Sequence, residues 1–150
     1  MNKDWKEFIE SLQSQNVEFL IVGAFALAQY GLPRFTQDLD IFLDRSPDSA
    51  RNLRAAFSKF GLEMSESAEQ ELISNPRAMI VLGNPPSEID LLNFLDGVEF
   101  KDAWNHRIRG TIVGIEADFI SKEDFILSKL ATGRPKDLQD VQRLQEILGS

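Results

Sequence analysis

Apolar residues recur along the chain with two spacings, one typical of helices and one typical of strands. Between Asp4 and Gln15 they fall on a single helical stripe. The run from Phe19 to Val22 is apolar throughout, and its short length and β-branched content predict a buried strand. Because both spacings return further along, the sequence predicts a fold that mixes helices with strands.

A glycine separates the first strand from the segment that follows it. Gly23 interrupts the apolar run, and the stretch from Ala24 to Tyr30 is rich in helix formers, with Gly31 placed to end the helix in a left-handed conformation. Pro33 prevents the helix from continuing, and residues 38–43 form a second strand pattern. The sequence therefore predicts strand, glycine turn, helix and strand in succession.

The rest of the chain continues this alternation. Further helices are predicted from Ser46 to Phe60, near Glu69 to Ser74, around Phe100 to Asn105, from Lys122 to Thr132 and from Asp137 to Leu148. Further strands are predicted from Ala78 to Leu82, Glu88 to Asn93, Ile108 to Val113 and Ile115 to Ile120. The turn at residues 83–86 is expected to join two of these strands in a hairpin.

Composition limits the kinds of protein that this chain can be. Its 150 residues have the size of one domain, and 43% hydrophobic with 27% charged residues is ordinary globular usage. We therefore expect a single domain over residues 1–150. Without cysteine there is neither a disulfide nor a thiolate zinc site. The first residues lack the apolar core of a signal peptide and no long apolar run follows, so we expect a cytoplasmic protein with no membrane span.

The net charge of −8 is unevenly distributed. Residues 1–100 carry 8 basic and 16 acidic side chains, whereas residues 101–150 carry 8 of each. Such a surface repels nucleic acid unless metal ions or a local basic patch reverse the field. General DNA binding is therefore not expected.

Three aspartates lie inside apolar strand patterns, where an unpaired carboxylate is costly. Asp38 and Asp40 leave the same face of one strand with roughly 6.6 Å of rise between them. Asp90 lies in a later strand, with Glu88 and Asp96 as further acids nearby. Carboxylates are preferred ligands of Mg²⁺, and three of them can hold two ions about 3.5–4 Å apart. The pattern predicts a site for Mg²⁺ or Mn²⁺ at the three aspartates, with a purely structural acid pair as the alternative.

The order of these parts resembles the nucleotidyltransferase superfamily that shares the palm of DNA polymerase β. The match is carried by residues 22–27 (Val-Gly-Ala-Phe-Ala-Leu), residues 34–40 (Arg-Phe-Thr-Gln-Asp-Leu-Asp), Asp90, Lys129 and residues 133–140. It covers about residues 17–148 and looks closest to the compact bacterial branch of minimal and toxin-type enzymes. The resemblance implies an α+β nucleotidyltransferase fold, a mixed central β-sheet flanked by α-helices, with the helices at about 122–148 packed on the sheet. It places Asp38 and Asp40 on a central strand and Asp90 beside it.

The resemblance also implies an activity: metal-dependent transfer of a nucleoside monophosphate from a nucleoside triphosphate such as ATP to a hydroxyl or phosphate acceptor. Asp38, Asp40 and Asp90 would be the metal-binding and catalytic residues, with Asp90 also the general base. The acceptor stays open between a protein partner, a tRNA end and an aminoglycoside-like small molecule, and a toxin–antitoxin role is possible by analogy alone. A catalytically inactive module that binds a nucleotide or a protein is the alternative.

Five further residues are predicted to bind the nucleotide: Gly23, Ala24, Arg34, Thr36 and Lys129. Backbone amides at the helix start would meet the triphosphate. Ala24 stands where the superfamily often has Gly or Ser, so a serine hydroxyl bond worth about 1 kcal/mol is missing. For Lys129, a snorkelling side chain that covers apolar surface is an equal alternative to phosphate binding. For Arg34, the equal alternative is an exposed arginine in a turn.

Three polar residues of the C-terminal third are interpreted as structural. Asp137 is expected to cap the N-terminus of the last helix, and Asp140 to pair with Lys129 or Arg134. The single histidine, His106, has no second metal-type partner nearby in sequence and is expected at the surface.

Overall fold

The structure is a computed structural model that describes residues 3–148. The helices are α1 (Lys3–Ser14), α2 (Gly23–Gln29), α3 (Pro47–Phe60), α4 (Glu66–Ser74), α5 (Phe100–Asn105), α6 (Lys122–Thr132) and α7 (Pro135–Leu148). The strands are β1 (Phe19–Val22), β2 (Asp38–Leu43), β3 (Met79–Leu82), β4 (Glu88–Leu92), β5 (Ile108–Ile112) and β6 (Ile115–Phe119). None of the described helices is long and apolar enough to cross a membrane.

The six strands form one mixed sheet in the order β3-β4-β2-β1-β6-β5. Two neighbouring pairs, β2 with β4 and β1 with β6, are parallel, and the other pairs are antiparallel. The predicted α+β class with a mixed sheet flanked by helices is confirmed. Strand β2 lies in the interior of the sheet with β4 directly beside it, as the resemblance implied.

The alternation of side chains along β2 divides the sheet into two faces. Leu39, Ile41 and Leu43 are fully buried in the larger core, which α1 and α3 cover. Asp38, Asp40 and Phe42 therefore leave the opposite face. On that face Phe42 joins a second core with residues of α5, α6 and α7, so the acids lie on the side of the sheet that the C-terminal helices cover.

Two predicted helix starts are wrong. A serine cap explains the first, and a proline at the first helical position explains the second. α4 begins at Glu66 rather than at Glu69, because the Ser65 hydroxyl accepts a hydrogen bond from the amide of Ala68 at 3.0 Å. α7 begins at Pro135, where the missing amide of proline costs nothing. Asp137 consequently lies inside the first turn of α7, and its expected role as the N-cap is corrected.

Candidate active site

Four acids form two rows across the neighbouring parallel strands β2 and β4. Asp38 lies opposite Glu88, and Asp40 lies opposite Asp90. Because residues two apart on a strand share a face, all four carboxylates leave the sheet on the same side. The structure therefore brings the three predicted aspartates together and adds Glu88 to them.

Three of the four carboxylates are close enough to share one cation. One oxygen from each of Asp38, Glu88 and Asp90 lies within 4.8 Å of the other two. Glu88 was not among the predicted ligands, although its spacing from Asp90 is the same i, i+2 spacing that paired Asp38 with Asp40. That spacing was the signal that could have found it.

Asp90 is the most buried acid of the site. It is 8% exposed, and its Oδ1 atom has no hydrogen-bond partner among the described residues. Burial, then a hydrogen bond to Glu88 and the charge of Asp40, raise the pKa of Asp90 to about 8. A buried oxygen without a partner is a position that a bound cation would satisfy.

Asp40 is held against the glycine turn at the start of α2. Val22 is its register partner on β1, and Gly23, with φ at +67°, follows directly. A Cβ atom on Gly23 would lie 2.1 Å from Oδ2 of Asp40, so only glycine leaves room for this carboxylate. Burial, followed by the charge of Asp38, raises the pKa of Asp40 to about 6.

Asp38 is oriented by the loop that leads into β2. The Thr36 hydroxyl lies 2.9 Å from Oδ1 of Asp38 and 2.9 Å from its backbone carbonyl oxygen. On the other strand, the amide of Glu88 donates to the carbonyl of Gln37 at 3.2 Å. Thr36, predicted to bind the nucleotide, thus contacts an acid of the site in this structure and fixes its rotamer.

A cleft of about 780 Å³ opens beside Asp40. One wall carries the glycine turn and Asp40 itself, and the opposite wall comes from α6 and α7. Its lining includes Val22, Gly23, Asp40, Arg77, Phe94, Asp96, Phe125, Ser128, Lys129, Thr132, Arg134 and Asp137. Cationic side chains therefore face an acid across a space of ligand size.

Lys129 reaches this cleft from within a buried ion cluster. Its Nζ atom lies 2.9 Å from Oδ2 of Asp140 and 3.2 Å from Oδ1 of Asp137. Asp137 also accepts from Nε of Arg134 at 2.7 Å and from the Thr132 hydroxyl at 2.6 Å. Despite burial, these hydrogen bonds lower the pKa of Asp137 to about 2. Both acids thus stay ionised and fix Lys129 in one position.

The same cluster anchors the loop before β2. Nη2 of Arg34 donates to Oδ1 of Asp140 at 2.7 Å, and the Asp140 side chain is only 4% exposed. Asp140 therefore pairs with Lys129, as expected, and with Arg34 rather than Arg134. His106 is exposed as predicted, with Nδ1 2.9 Å from Oδ2 of the buried Asp124.

The residues present fit a divalent cation. All the converging donors are carboxylate oxygens, which hard cations such as Mg²⁺ prefer. Asp90 also has a buried oxygen, Oδ1, without a hydrogen-bond partner among the described residues. Burial, with a smaller contribution from the neighbouring carboxylates, raises the pKa of Asp40 and of Asp90, so burial and repulsion both oppose their ionisation in the metal-free protein. A cation would remove that repulsion.

We expect the metal-free protein to lose stability as the pH rises from about 4 to about 8. In this range the folded state binds more protons than the unfolded state, because the pKa values of Asp40 and Asp90 are raised to about 6 and about 8. Mg²⁺ competes with these protons, so its stabilising effect grows with pH. At 100 times its dissociation constant it adds about 2.7 kcal/mol, or roughly 5–10 °C in Tm.

Thermal unfolding with and without MgCl₂ at about pH 5 and about pH 8 measures this expectation. An Asp40→Asn/Asp90→Asn variant is the control, because it removes both titrating groups and should flatten the pH dependence. A shift in Tm by Mg²⁺ that is equal at both pH values would contradict the account of the site.

The comparison with known families agrees with the geometry. A family model described as "Nucleotidyltransferase of unknown function (DUF6036)" matches residues 3–148. The chain therefore belongs to this nucleotidyltransferase family. No curated protein matches the chain significantly.

Proposed function

We propose that the chain is a metal-dependent nucleotidyltransferase of the compact palm type, which moves a nucleoside monophosphate from a triphosphate such as ATP to an acceptor. The observation that carries the proposal is the pair of acid rows on β2 and β4, next to a cleft that Lys129 and Arg134 line together with Asp137. Membership of a nucleotidyltransferase family supports it.

Asp38, Glu88 and Asp90 would hold Mg²⁺ or Mn²⁺, with Asp40 beside them facing the triphosphate. When bound, the ion supplies positive charge that stabilises the transferring phosphoryl group and the leaving pyrophosphate. Thr36 keeps the Asp38 carboxylate in one orientation. Gly23 lines the cleft, and the backbone amides of Gly23 and Ala24 would bind the phosphates there.

In the transfer itself, the acceptor oxygen forms a bond to the α-phosphorus while the bond from that phosphorus to the bridging oxygen breaks. Pyrophosphate leaves, and Asp90 takes the proton of the acceptor before releasing it to water. Lys129 and Arg134 offset the charge of the phosphates from the opposite wall. Arg34 acts indirectly: its ion pair with Asp140 holds the loop that carries Thr36, and Thr36 orients Asp38.

Pyrophosphate release tests the proposal without knowledge of the acceptor. The purified protein is incubated with α-labelled ATP, Mg²⁺ or Mn²⁺ and candidate acceptors, and both pyrophosphate and transferred label are measured. We expect chelation of the metal and the substitution Asp38→Ala each to remove the activity. Equal label transfer by the parent and the Asp38→Ala variant would rule out the role given to the acids.

A non-catalytic module is the second candidate, and Ala24 is the observation that favours it. At this position a serine would add one hydrogen bond to the phosphates, worth about 1 kcal/mol. Calorimetry separates the candidates: metal-dependent binding of ATP without turnover indicates an inactive nucleotide-binding module. Absence of binding indicates a protein-interaction module.

A further inference from the structure

The acid rows border two clefts that share no lining residue. The 780 Å³ cleft is lined by Asp40, and the second, of about 300 Å³, is lined by Asp38 and Glu88. Phe35, Gln37 and Pro85 complete the lining of the second cleft. We call it the Phe35 cleft.

Phe35 is 86% exposed, more than any other large hydrophobic side chain among the described residues. Its loop is nevertheless fixed on both sides, by the ion pair of Arg34 with Asp140 and by the contact of Thr36 with Asp38. An aromatic ring held in water by anchored neighbours forgoes the free energy that its burial would give. Such a ring offers a binding surface at the mouth of the cleft.

The two clefts differ in charge. The larger cleft is lined by three basic residues (Lys129, Arg134 and Arg77) and three acids (Asp40, Asp96 and Asp137), whereas the described lining of the Phe35 cleft contains two carboxylates and no basic residue. Apolar surface continues on the same face at Val81, which lies opposite Asp90 on β3 and is 48% exposed. The Phe35 cleft therefore disfavours phosphates and favours an uncharged or cationic ligand with an apolar face.

Nucleotidyl transfer requires the acceptor and the leaving group to lie on opposite sides of the α-phosphorus. In an in-line displacement the entering oxygen and the leaving oxygen are on opposite sides of phosphorus. If the triphosphate occupies the larger cleft, which contains the basic residues, the acceptor approaches from the other row of acids, that of Asp38 and Glu88. Asp90 joins the two rows: its carboxylate lies within 4.8 Å of ligand oxygens of both acids, and its buried Oδ1 atom has no described partner.

We propose that the Phe35 cleft is the acceptor site and that it takes a hydroxyl compound, uncharged or cationic, whose ring face stacks on Phe35. This inference rests on the proposed function and names its acceptor class. The hydroxyl oxygen bonds to the α-phosphorus, pyrophosphate leaves, and the hydroxyl proton passes to Asp90. The ring can belong to a free small molecule or to a polypeptide side chain, and a polyanionic RNA is excluded.

The test compares the parent with Phe35→Ser and with a control, Ile108→Ser. The control also replaces an exposed apolar side chain with serine, on the edge strand β5, where Ile108 is 45% exposed. Kanamycin serves as a free ring compound, reduced casein as a polypeptide and unfractionated tRNA as the polyanion. We expect label from α-labelled ATP in kanamycin or in casein, which distinguishes the two sources. Phe35→Ser should lower kcat/KM for that acceptor at least about tenfold with KM for ATP unchanged, and Ile108→Ser should change neither.

Label in tRNA, transfer that Phe35→Ser leaves unchanged, or pyrophosphate release with label in neither kanamycin nor casein would each overturn the acceptor assignment. Failure of the proposed function itself looks different. In that case neither the parent nor any variant releases pyrophosphate from ATP with metal present.

Discussion

The substitution Asp90→Asn is expected to lower nucleotidyl transfer about 10³-fold or more and at the same time to make the metal-free protein more stable. Activity falls because the amide can neither take the acceptor's proton, a contribution of about 10²–10⁴-fold, nor bind a cation as a carboxylate does. Stability rises because a neutral side chain removes the cost of ionising a buried acid.

The gain in stability has a defined pH dependence. The pKa of Asp90 is raised to about 8 in the folded protein, so the parent loses stability from about pH 4 upwards until that pKa is passed. Asn does not titrate, so the advantage of the variant grows over this range and reaches about 1–3 kcal/mol near pH 8. Denaturant unfolding without metal, paired with the pyrophosphate assay, measures both effects on one preparation.

The matched control for this prediction is Asp4→Asn, the same chemical change on the exposed side of α1. It should alter neither activity nor stability by more than about 0.5 kcal/mol. Transfer by Asp90→Asn within tenfold of the parent would exclude the catalytic role. Lower stability of the metal-free variant would show instead that the carboxylate makes a favourable contact in the fold.

Local patterns were sufficient for the fold class. Along β2, Leu39 and Ile41 alternate with acids, and that alternation alone indicates which side chains enter the core. The positions of Gly23 and Pro33 separate β1, α2 and β2 because each restricts the backbone in its own way. Element ends were less predictable where a serine cap such as Ser65 decides them.

The spacing of Glu88 and Asp90 marks both as candidate ligands, but the composition of the site depends on how the strands pair. Glu88 enters the cluster only because β4 pairs with β2 in a register that sets it opposite Asp38, 50 positions away in sequence. Asp140 was predicted to pair with Lys129 or Arg134, but the second partner of Lys129, Asp137, and the bond from Arg34 to Asp140 depend on how α6, α7 and the loop before β2 meet. The exposure of Phe35 is likewise a property of the folded surface.

The substitution Gly23→Ala is expected to destabilise the protein by about 2–4 kcal/mol and to lower transfer about 10²-fold. Two costs combine. The left-handed φ of +67° strains any residue with a Cβ by roughly 1–2 kcal/mol. The added Cβ would also lie 2.1, 2.8 and 2.9 Å from Oδ2, Cγ and Cβ of Asp40.

Rotation of the Asp40 side chain moves Oδ2 and Cγ but leaves the 2.9 Å contact with Cβ, because the backbone of β2 fixes the position of that atom. The glycine turn or the strand must therefore move, at about 1–3 kcal/mol for overpacking. A displacement of about 1 Å at the acid row is enough for a 10²-fold loss of activity.

Gly133→Ala is the matched control, because it carries the backbone strain without the contact to Asp40. Gly133 has φ at +66°, almost the same as Gly23, but no atom lies within 4 Å of the Cβ that alanine would add. Its loss of stability should therefore equal the backbone strain alone. The difference in unfolding free energy between the two variants then measures the close approach of Asp40 to the turn. If the two variants were equally destabilised, the close approach of Gly23 to Asp40 would not constrain the site.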